Sequence, residues 1–126
     1  MPSSRERELL RGINARRDLA GSFSQREQVI HGDCKVNNLL FAHGTTTEVR
    51  AVLDLDTVMR GHWAWDAGDL VRSAAAGPNG FALDRFAGVV RGLRASARID
   101  AGPEDWARAP RYVTLMLVVR FLTDHL

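Results

Sequence analysis

The stretch QVIHGDCKVNNLLF, residues 28–41, constrains the fold more than any other part of the chain. It places a His, an Asp, a Lys and two Asn between two short apolar runs. A strand requires none of these polar side chains, and a tight turn requires only one or two of them. We therefore interpret the apolar runs as strands and the polar segment between them as a loop with a chemical role.

Helical patterns flank this region on both sides. Ser3 and Glu6 form a capping-box signature, and the leucines and isoleucine that follow at helical spacing predict a helix over residues 4–20. The run DAGDLVRSAAA predicts a second helix with Asp66 at its cap position. The Gly-Pro pair at 77–78 should end that helix.

Two further helices are predicted in the last third of the chain. The first presents an apolar face made of Phe86, Val89, Val90, Leu93 and Ala97. The second starts at Pro103, is interrupted at Pro110 and then becomes apolar nearly all round, as a buried helix would be. No cap or polar tail follows Leu126, so we expect the native protein to continue beyond it.

The apolar runs that begin at Leu39 and Val49 predict a hairpin around residues 43–47. The numbers of facing residues then sum to about 91 or 92, which puts Asn38 near Asp54. If Asp54 and Asp56 lie on one strand, both point to the same face. Carboxamide and carboxylate oxygens that converge in this way suit Mg²⁺, and Asp33 at the preceding turn could reach a substrate hydroxyl beside the ion.

Composition narrows the class of protein. A chain of 126 residues with 45% hydrophobic and 25% charged residues is typical of one globular domain, and no apolar run approaches the ~18 residues of a membrane span. The lone cysteine, Cys34, excludes an internal disulfide and fits a reducing cytoplasm. Sixteen arginines are spread along the chain without interleaved aromatic residues, which argues against nucleic-acid binding.

The segments HGDCKVNN and VLDLD resemble the HxDxxxxN loop and the metal-binding strand of the kinase-like phosphotransferases, which include aminoglycoside phosphotransferases and choline kinases. With VLDLDTVMRG and DAGDLVRSAA included, the chain is most similar to the N-acetylhexosamine 1-kinase branch. The resemblance covers residues 28–76 well and 111–126 loosely. It implies an α+β fold: a fragment of a protein-kinase-like C-terminal lobe, mostly helical, with a small catalytic β-hairpin.

Roles for individual residues follow from the resemblance. It implies that Asp33 is the catalytic base and that Lys35 contacts the γ-phosphate. Asn38 and Asp54 become ligands of Mg²⁺ and thereby bind ATP, and Asp56 becomes a carboxylate for a second ion or for the outer shell of the first. Arg60 departs from the branch, which commonly has Pro there.

The implied reaction moves the γ-phosphate of ATP to a hydroxyl of a small polar molecule, an amino sugar first and an aminoglycoside second. Membranes and nucleic acids are not expected as partners. Residues 1–126 then form a partial catalytic lobe, and the N-terminal nucleotide lobe is absent, because the sequence has no glycine-rich loop and no lysine besides Lys35.

Two other functions stay open at this point. The run AVLDLDTV also fits the haloacid-dehalogenase-like phosphatases, with Asp54 as nucleophile and Asp56 as acid/base. That class normally carries the motif on its first strand, in front of a full α/β domain. The other possibility is a truncated, catalytically incompetent lobe that binds a partner or nothing.

Several neighbouring residues have simpler explanations. His31 is interpreted as structural, because Asp33 already supplies a base, and Cys34 as a small inert filler. Asp66 and Asp69 are interpreted as a helix cap and a dipole partner, with Asp69 or Arg72 as a brace for the loop. Trp63 and Trp65 either line a sugar site or pack in the core.

Overall fold

The computed structural model describes residues 1–21, 23, 27–96 and 99–125. Helices account for most of this part of the chain: α1 (Ser4–Asn14), α2 (Trp63–Ala75), α3 (Leu83–Ser96) and α4 (Pro103–His125). Short 3₁₀ turns lie at Arg17–Ala20, Val36–Asn38 and Leu55–Thr57. Among the described residues, no helix combines the length and apolarity that a membrane span requires.

The strands are short and form separate antiparallel pairs. They are β1 (Gln28–Ile30), β2 (Leu39–Phe41), β3 (Val49–Val52), β4 (Met59–Gly61), β5 (Ala76–Gly77) and β6 (Gly80–Phe81). The pairs are β1 with β4, β2 with β3 and β5 with β6. The β2–β3 pair is the predicted hairpin, whereas β4 as the partner of β1 was not predicted.

The core lies where α2 packs against α3 and α4. The rings of Trp63 and Trp106 have centroids 4.7 Å apart, and small buried residues surround them. Gly68 permits the close approach of α2 to α4, because a Cβ atom there would collide with the backbone carbonyl of Ala109 and the side chain of Val113. The small side chains of α2 therefore set its distance from α4.

The first helix is shorter than predicted and is poorly buried. The capping box between Ser3 and Glu6 is present, as predicted, with reciprocal hydrogen bonds between side chain and backbone. The α-helix ends at Asn14, and residues 17–20 form a separate 3₁₀ turn that buries Leu19. Because α1 itself contains no buried residue, tertiary packing does not extend it to residue 20.

The last helix differs from its sequence pattern in two ways. It begins at Pro103 as predicted, but it continues through Pro110 without interruption. Proline removes one intrahelical hydrogen bond, and the packing of the adjacent Ala109 against Gly68 of α2 holds the helix together at this point. The helix is also not buried all round, although its apolar pattern is that of a buried helix, because Val118 and Phe121 are exposed.

The third helix presents the predicted face to the core. Phe86, Val90 and Leu93 are partly buried and pack against the core cluster, and Val89 is half-buried. Ala97, the last member of the predicted face, lies outside the described residues.

Candidate active site

The hairpin places Asn38 next to Asp54 along the backbone. Leu39 pairs with Val52 and Leu40 with Ala51, so facing residues next to Asn38 sum to 91, within the predicted range, before the register shifts by one at Phe41. Asn38 therefore faces Leu53, and the backbone N–H of Leu53 donates to the Asn38 carbonyl at 2.8 Å. Asp54 directly follows Leu53 in the sequence and is therefore one residue away from this backbone pairing.

The prediction that Asp54 and Asp56 share a strand face is wrong. The strand ends at Val52, and Asp56 lies in the 3₁₀ turn Leu55–Thr57. Asp54 adopts the left-handed conformation, with φ 60° and ψ 65°, which breaks the alternation of a strand. Asp and Asn tolerate this conformation better than most residues, and such outliers concentrate at functional sites.

Asp33, Lys35 and Asn38 form one hydrogen-bonded cluster. Lys35 Nζ donates to Asp33 Oδ2 at 2.8 Å. The Asn38 amide Nδ2 donates to the same carboxylate oxygen at 3.1 Å and to the Asp33 backbone carbonyl at 2.8 Å. The structure thus brings together three of the predicted site residues and fixes the orientation of the Asp33 carboxylate.

Both charged members of this cluster are ionised near neutral pH. The hydrogen bond from Lys35 lowers the pKa of Asp33 below 3.8, with help from Asn38, although partial burial acts in the opposite direction. The same hydrogen bond raises the pKa of Lys35 above 10.5. Asp33 is therefore a strong hydrogen-bond acceptor and a weak base in this state.

The backbone of the loop is anchored by Asp66 of α2. Its carboxylate accepts hydrogen bonds from the N–H of His31 at 2.7 Å and from the N–H of Gly32 at 2.9 Å. The prediction that Asp66 caps α2 is wrong. His62 occupies the cap position, and its side chain accepts a hydrogen bond from the N–H of Ala64. The brace expected from Asp69 or Arg72 is thus supplied by Asp66.

Gly32 is fixed from two further sides. Its carbonyl accepts from the indole Nε1 of Trp65 at 2.9 Å. Its φ of +82° lies in the region that favours glycine, and a Cβ atom there would collide with the backbone carbonyl of Thr57. The hydroxyl of Thr57 in turn donates to the His31 carbonyl at 2.7 Å. Glycine is the residue that this turn requires.

Ser73 adds a contact between α2 and the loop region, whereas Arg72 pairs with Asp69 of its own helix. The hydroxyl of Ser73 accepts from the N–H of Val36 at 2.9 Å. Arg72 donates to the buried carboxylate of Asp69 through two nitrogens, at 2.6 and 3.1 Å. Asp66, Thr57, Trp65 and Ser73 received no such role from the sequence, because each role depends on a contact that forms only when distant segments meet.

His31 is structural, as expected. Its Nε2 lies 2.9 Å from the Leu53 carbonyl, and its Nδ1 accepts from the N–H of Asp33 at 3.3 Å. These partners select the neutral tautomer with a proton on Nε2. The ring thereby joins the loop to the segment that carries Asp54.

The remaining single residues are also accounted for. Burial raises the pKa of the Cys34 thiol to about 12, with further increases from the carboxylates of Asp66, Asp69 and Asp33, so Cys34 stays protonated and inert. Trp63 is 1% exposed and belongs to the core, which leaves it unable to line a sugar site.

The donor set on the loop side fits Mg²⁺. The Nδ2 of Asn38 donates to Asp33, so its Oδ1 remains as a possible metal ligand. In the described part of the chain, the side chains of Asp54 and Asp56 form no hydrogen bond or ion pair. Within the same residues, no three His, Cys, Asp or Glu side chains gather into a metal site. An ion here would need the Asn38 oxygen as well as carboxylates.

Comparison with known proteins identifies the family of this chain. Residues 3–110 match the phosphotransferase enzyme family, a span that contains α1, both predicted motifs, α2 and α3. No solved structure matches the chain. Since the match covers most of the 126 residues and includes the loop anchored by Asp66, the chain belongs to the phosphotransferase enzyme family.

Proposed function

We propose that this chain carries the catalytic loop of an ATP-dependent phosphotransferase whose acceptor is a hydroxyl of a small polar molecule. The observation that carries the proposal is the orientation of Asp33, whose carboxylate is held by Lys35 and Asn38 on a loop anchored to α2. Transfer of a phosphoryl group depends mainly on positioning and charge stabilisation, and this loop supplies both.

Asp33 is assigned to the acceptor hydroxyl. One carboxylate oxygen is engaged by Lys35 and Asn38, which leaves the other to accept a hydrogen bond from the acceptor. A lowered pKa suits this role, because the transition state of phosphoryl transfer is loose and the proton needs to leave late. Asp33 then orients the hydroxyl before it takes the proton.

Lys35 is assigned to the phosphates. Its side chain is half-buried and ion-paired with Asp33, and its charge is secured by the raised pKa. As the acceptor hydroxyl loses its proton to Asp33, the Lys35 ammonium can turn toward the transferred phosphoryl group, since lysine is a flexible point charge.

Asn38 and Asp54 are assigned to Mg²⁺, with Asp56 as a further carboxylate. When bound, Mg²⁺ would neutralise charge on the phosphates of ATP. The support is the pairing of Asn38 with Leu53, which holds Asn38 beside Asp54, and the left-handed backbone that turns Asp54 out of the strand.

The phosphatase interpretation of Asp54 and Asp56 has less support. It expects an α/β domain behind these residues, whereas the strands in the described part of the chain form only two-stranded antiparallel sheets. It also leaves the Asp33–Lys35–Asn38 cluster without a purpose. The family match favours the phosphotransferase.

The acceptor class is proposed from the sequence alone. The runs HGDCKVNNLLF and DAGDLVRSAA are the support for an N-acetylhexosamine-like amino sugar at its anomeric hydroxyl, with aminoglycosides as the second class to test. We further propose that turnover requires a nucleotide-binding lobe in addition to residues 1–126, since these residues contain no glycine-rich loop.

The test compares two aspartates in a protein that joins this chain to a nucleotide-binding lobe of the family. Asp33→Asn should lower turnover about 10²- to 10⁴-fold and leave Mg·ATP affinity nearly unchanged. Asp54→Asn should weaken Mg²⁺ dependence and ATP binding together. Asp100→Asn, at an exposed loop position, is the matched control.

ATP consumption with a panel of amino sugars and aminoglycosides, and calorimetric titration with Mg·ATP, are the measurements. Full turnover by the Asp33→Asn variant would remove the mechanism. Phosphate-monoester hydrolysis that depends on Asp54 would favour the phosphatase instead.

A further inference from the structure

An apolar cleft lies on the side of the molecule formed by α1, the start of α3 and α4. Its volume is about 820 Å³, within the range of roughly 300 to 1,000 Å³ that is usual for small-molecule sites. It extends to Arg72 in the last turn of α2 and to Ala76 of β5, whereas Asp66, which anchors the catalytic loop, lies in the first turn of α2. No residue of the loop 31–38 is among the residues that line the cleft, so the cleft is separate from the Asp33 cluster.

The walls of the cleft are mostly apolar side chains. Leu9 and Ile13 contribute from α1, and Phe86, Leu115 and Val118 contribute from α3 and α4. Leu9 remains 41% exposed, and α1 as a whole buries no residue. A ligand in the cleft would therefore cover apolar surface that the fold leaves open.

The charged groups around the cleft are predominantly basic. Arg5, Arg16, Arg72 and Arg111 line it together with one acid, Glu8. Arg72 is neutralised by Asp69, but within the described residues neither Arg5 nor Arg111 forms an ion pair. Two guanidinium groups beside an apolar cavity complement a ligand that has one anionic group and one hydrocarbon part.

We infer that this cleft binds a single-chain amphipathic carboxylate, with its hydrocarbon part between α1 and α4 and its head group paired with Arg5 or Arg111. The site is independent of the phosphotransferase proposal.

Calorimetric titration of the 126-residue chain with octanoate, decanoate and dodecanoate, below their micelle concentrations, tests the inference. Each added methylene should tighten binding about fourfold, the equivalent of ~0.8 kcal/mol. Decanoate should bind more tightly than decanol or decyltrimethylammonium. Equal affinity for the three head groups would overturn the assignment of the arginines.

Two sets of variants locate the site. Gly12 lines the cleft, and a Cβ atom there would meet only the flexible Arg16 side chain, so Gly12→Trp should fill the cavity and weaken decanoate binding at least tenfold without unfolding the chain. Gly92→Trp is the matched control, because Gly92 lies in α3, has open space around it and does not line the cleft. Unchanged binding by Gly12→Trp would overturn the proposal.

Arginine variants separate charge from apolar contact. Arg5→Gln and Arg111→Gln should weaken decanoate binding by up to about fivefold each and leave decanol binding unchanged, whereas Arg94→Gln, outside the cleft, should change neither. Hydrogen exchange gives an independent readout: decanoate should slow exchange of the α1 amides. Binding to anionic phospholipid vesicles without binding to decanoate, or a dimer that Gly12→Trp dissociates, would replace the proposed occupant with another.

Discussion

The two halves of the candidate site are built in different ways. The loop of residues 31–38 is tied to α2 and to Thr57 by hydrogen bonds at several backbone positions, and the Asp33 carboxylate already has two partners. The segment with Asp54 and Asp56 is exposed, and in the described residues these carboxylates have no hydrogen-bond partner. The loop is preorganised, whereas the Asp54 segment presents carboxylates that no hydrogen bond or ion pair within the described residues holds in place.

This difference separates stability from function along the chain. Loop anchors such as Asp66 satisfy backbone groups, so their loss should lower the free energy of unfolding. Exposed carboxylates without partners contribute little to folding, and their expected contribution is to ligand binding. The predictions below test this division, from the largest expected effect to the smallest.

Asp66→Ala should have the largest effect on stability. The substitution leaves the N–H groups of His31 and Gly32 without their acceptor, which should lower the free energy of unfolding by about 2 to 4 kcal/mol. Urea denaturation measures it. Asp100→Ala, at an exposed loop position, should change the free energy by less than about 0.5 kcal/mol. A similarly small effect for Asp66→Ala would show that α2 does not anchor the loop.

Ser73→Ala should lower the free energy of unfolding by less than Asp66→Ala does. It removes the acceptor of the Val36 N–H, a loss of about 1 kcal/mol, as well as a bond from the hydroxyl to the Leu70 carbonyl within α2. Ser96→Ala is a close control, because within the described residues the Ser96 hydroxyl bonds a carbonyl of its own helix, that of Gly92. Equal changes in the free energy of unfolding for the two variants would remove Ser73 from the set of anchors.

The Asp33–Lys35 pair predicts a defined pH dependence. Because the folded pKa of Asp33 lies below its ordinary value of 3.8, its contribution to stability is present above that pH and is lost as pH falls through the lower folded value. Because the folded pKa of Lys35 lies above 10.5, its contribution is present below that pH and is lost as pH rises through the higher folded value. Between these limits the pair should not titrate.

Lys35→Met tests this coupling. The pKa of Asp33 should rise in the variant, and a carbon-detected NMR titration of the carboxylate measures it. Arg50→Met, which removes only the exposed pair with Glu48, should leave the Asp33 titration unchanged. An Asp33 pKa that does not respond to Lys35→Met would mean that the ion pair does not hold the carboxylate in solution.

Asp54→Asn should have the smallest effect on folding. Asn also tolerates the left-handed conformation, so the free energy of unfolding should change by less than about 0.5 kcal/mol. Asp54→Val should cost roughly 1 to 2 kcal/mol, because a β-branched side chain is strained at this φ. A large loss for the Asn variant in urea denaturation would show that Asp54 stabilises the fold and would contradict the contrast between the two halves.

Much of the local structure could be predicted from the sequence. The Ser3–Glu6 capping box, the hairpin register next to Asn38, the described part of the apolar face of α3 and the start of α4 depend on residues that are close along the chain, and the structure confirms them. The loop residues Asp33, Lys35 and Asn38 were also identified, because their types and spacing match a known motif. Their individual catalytic roles stay predictions.

Other features of the fold and the site depend on tertiary contacts and could not be predicted from local sequence patterns. Asp66 had the sequence features of a helix cap, but it binds the N–H of His31, 35 positions earlier, because α2 docks beneath the loop. The pairing of β1 with β4 and the continuity of α4 through Pro110 were likewise not predictable. Burial and long-range hydrogen bonds depend on which segments pack together. A pattern of neighbouring residues indicates only the local structure that each segment can form, and not its tertiary contacts.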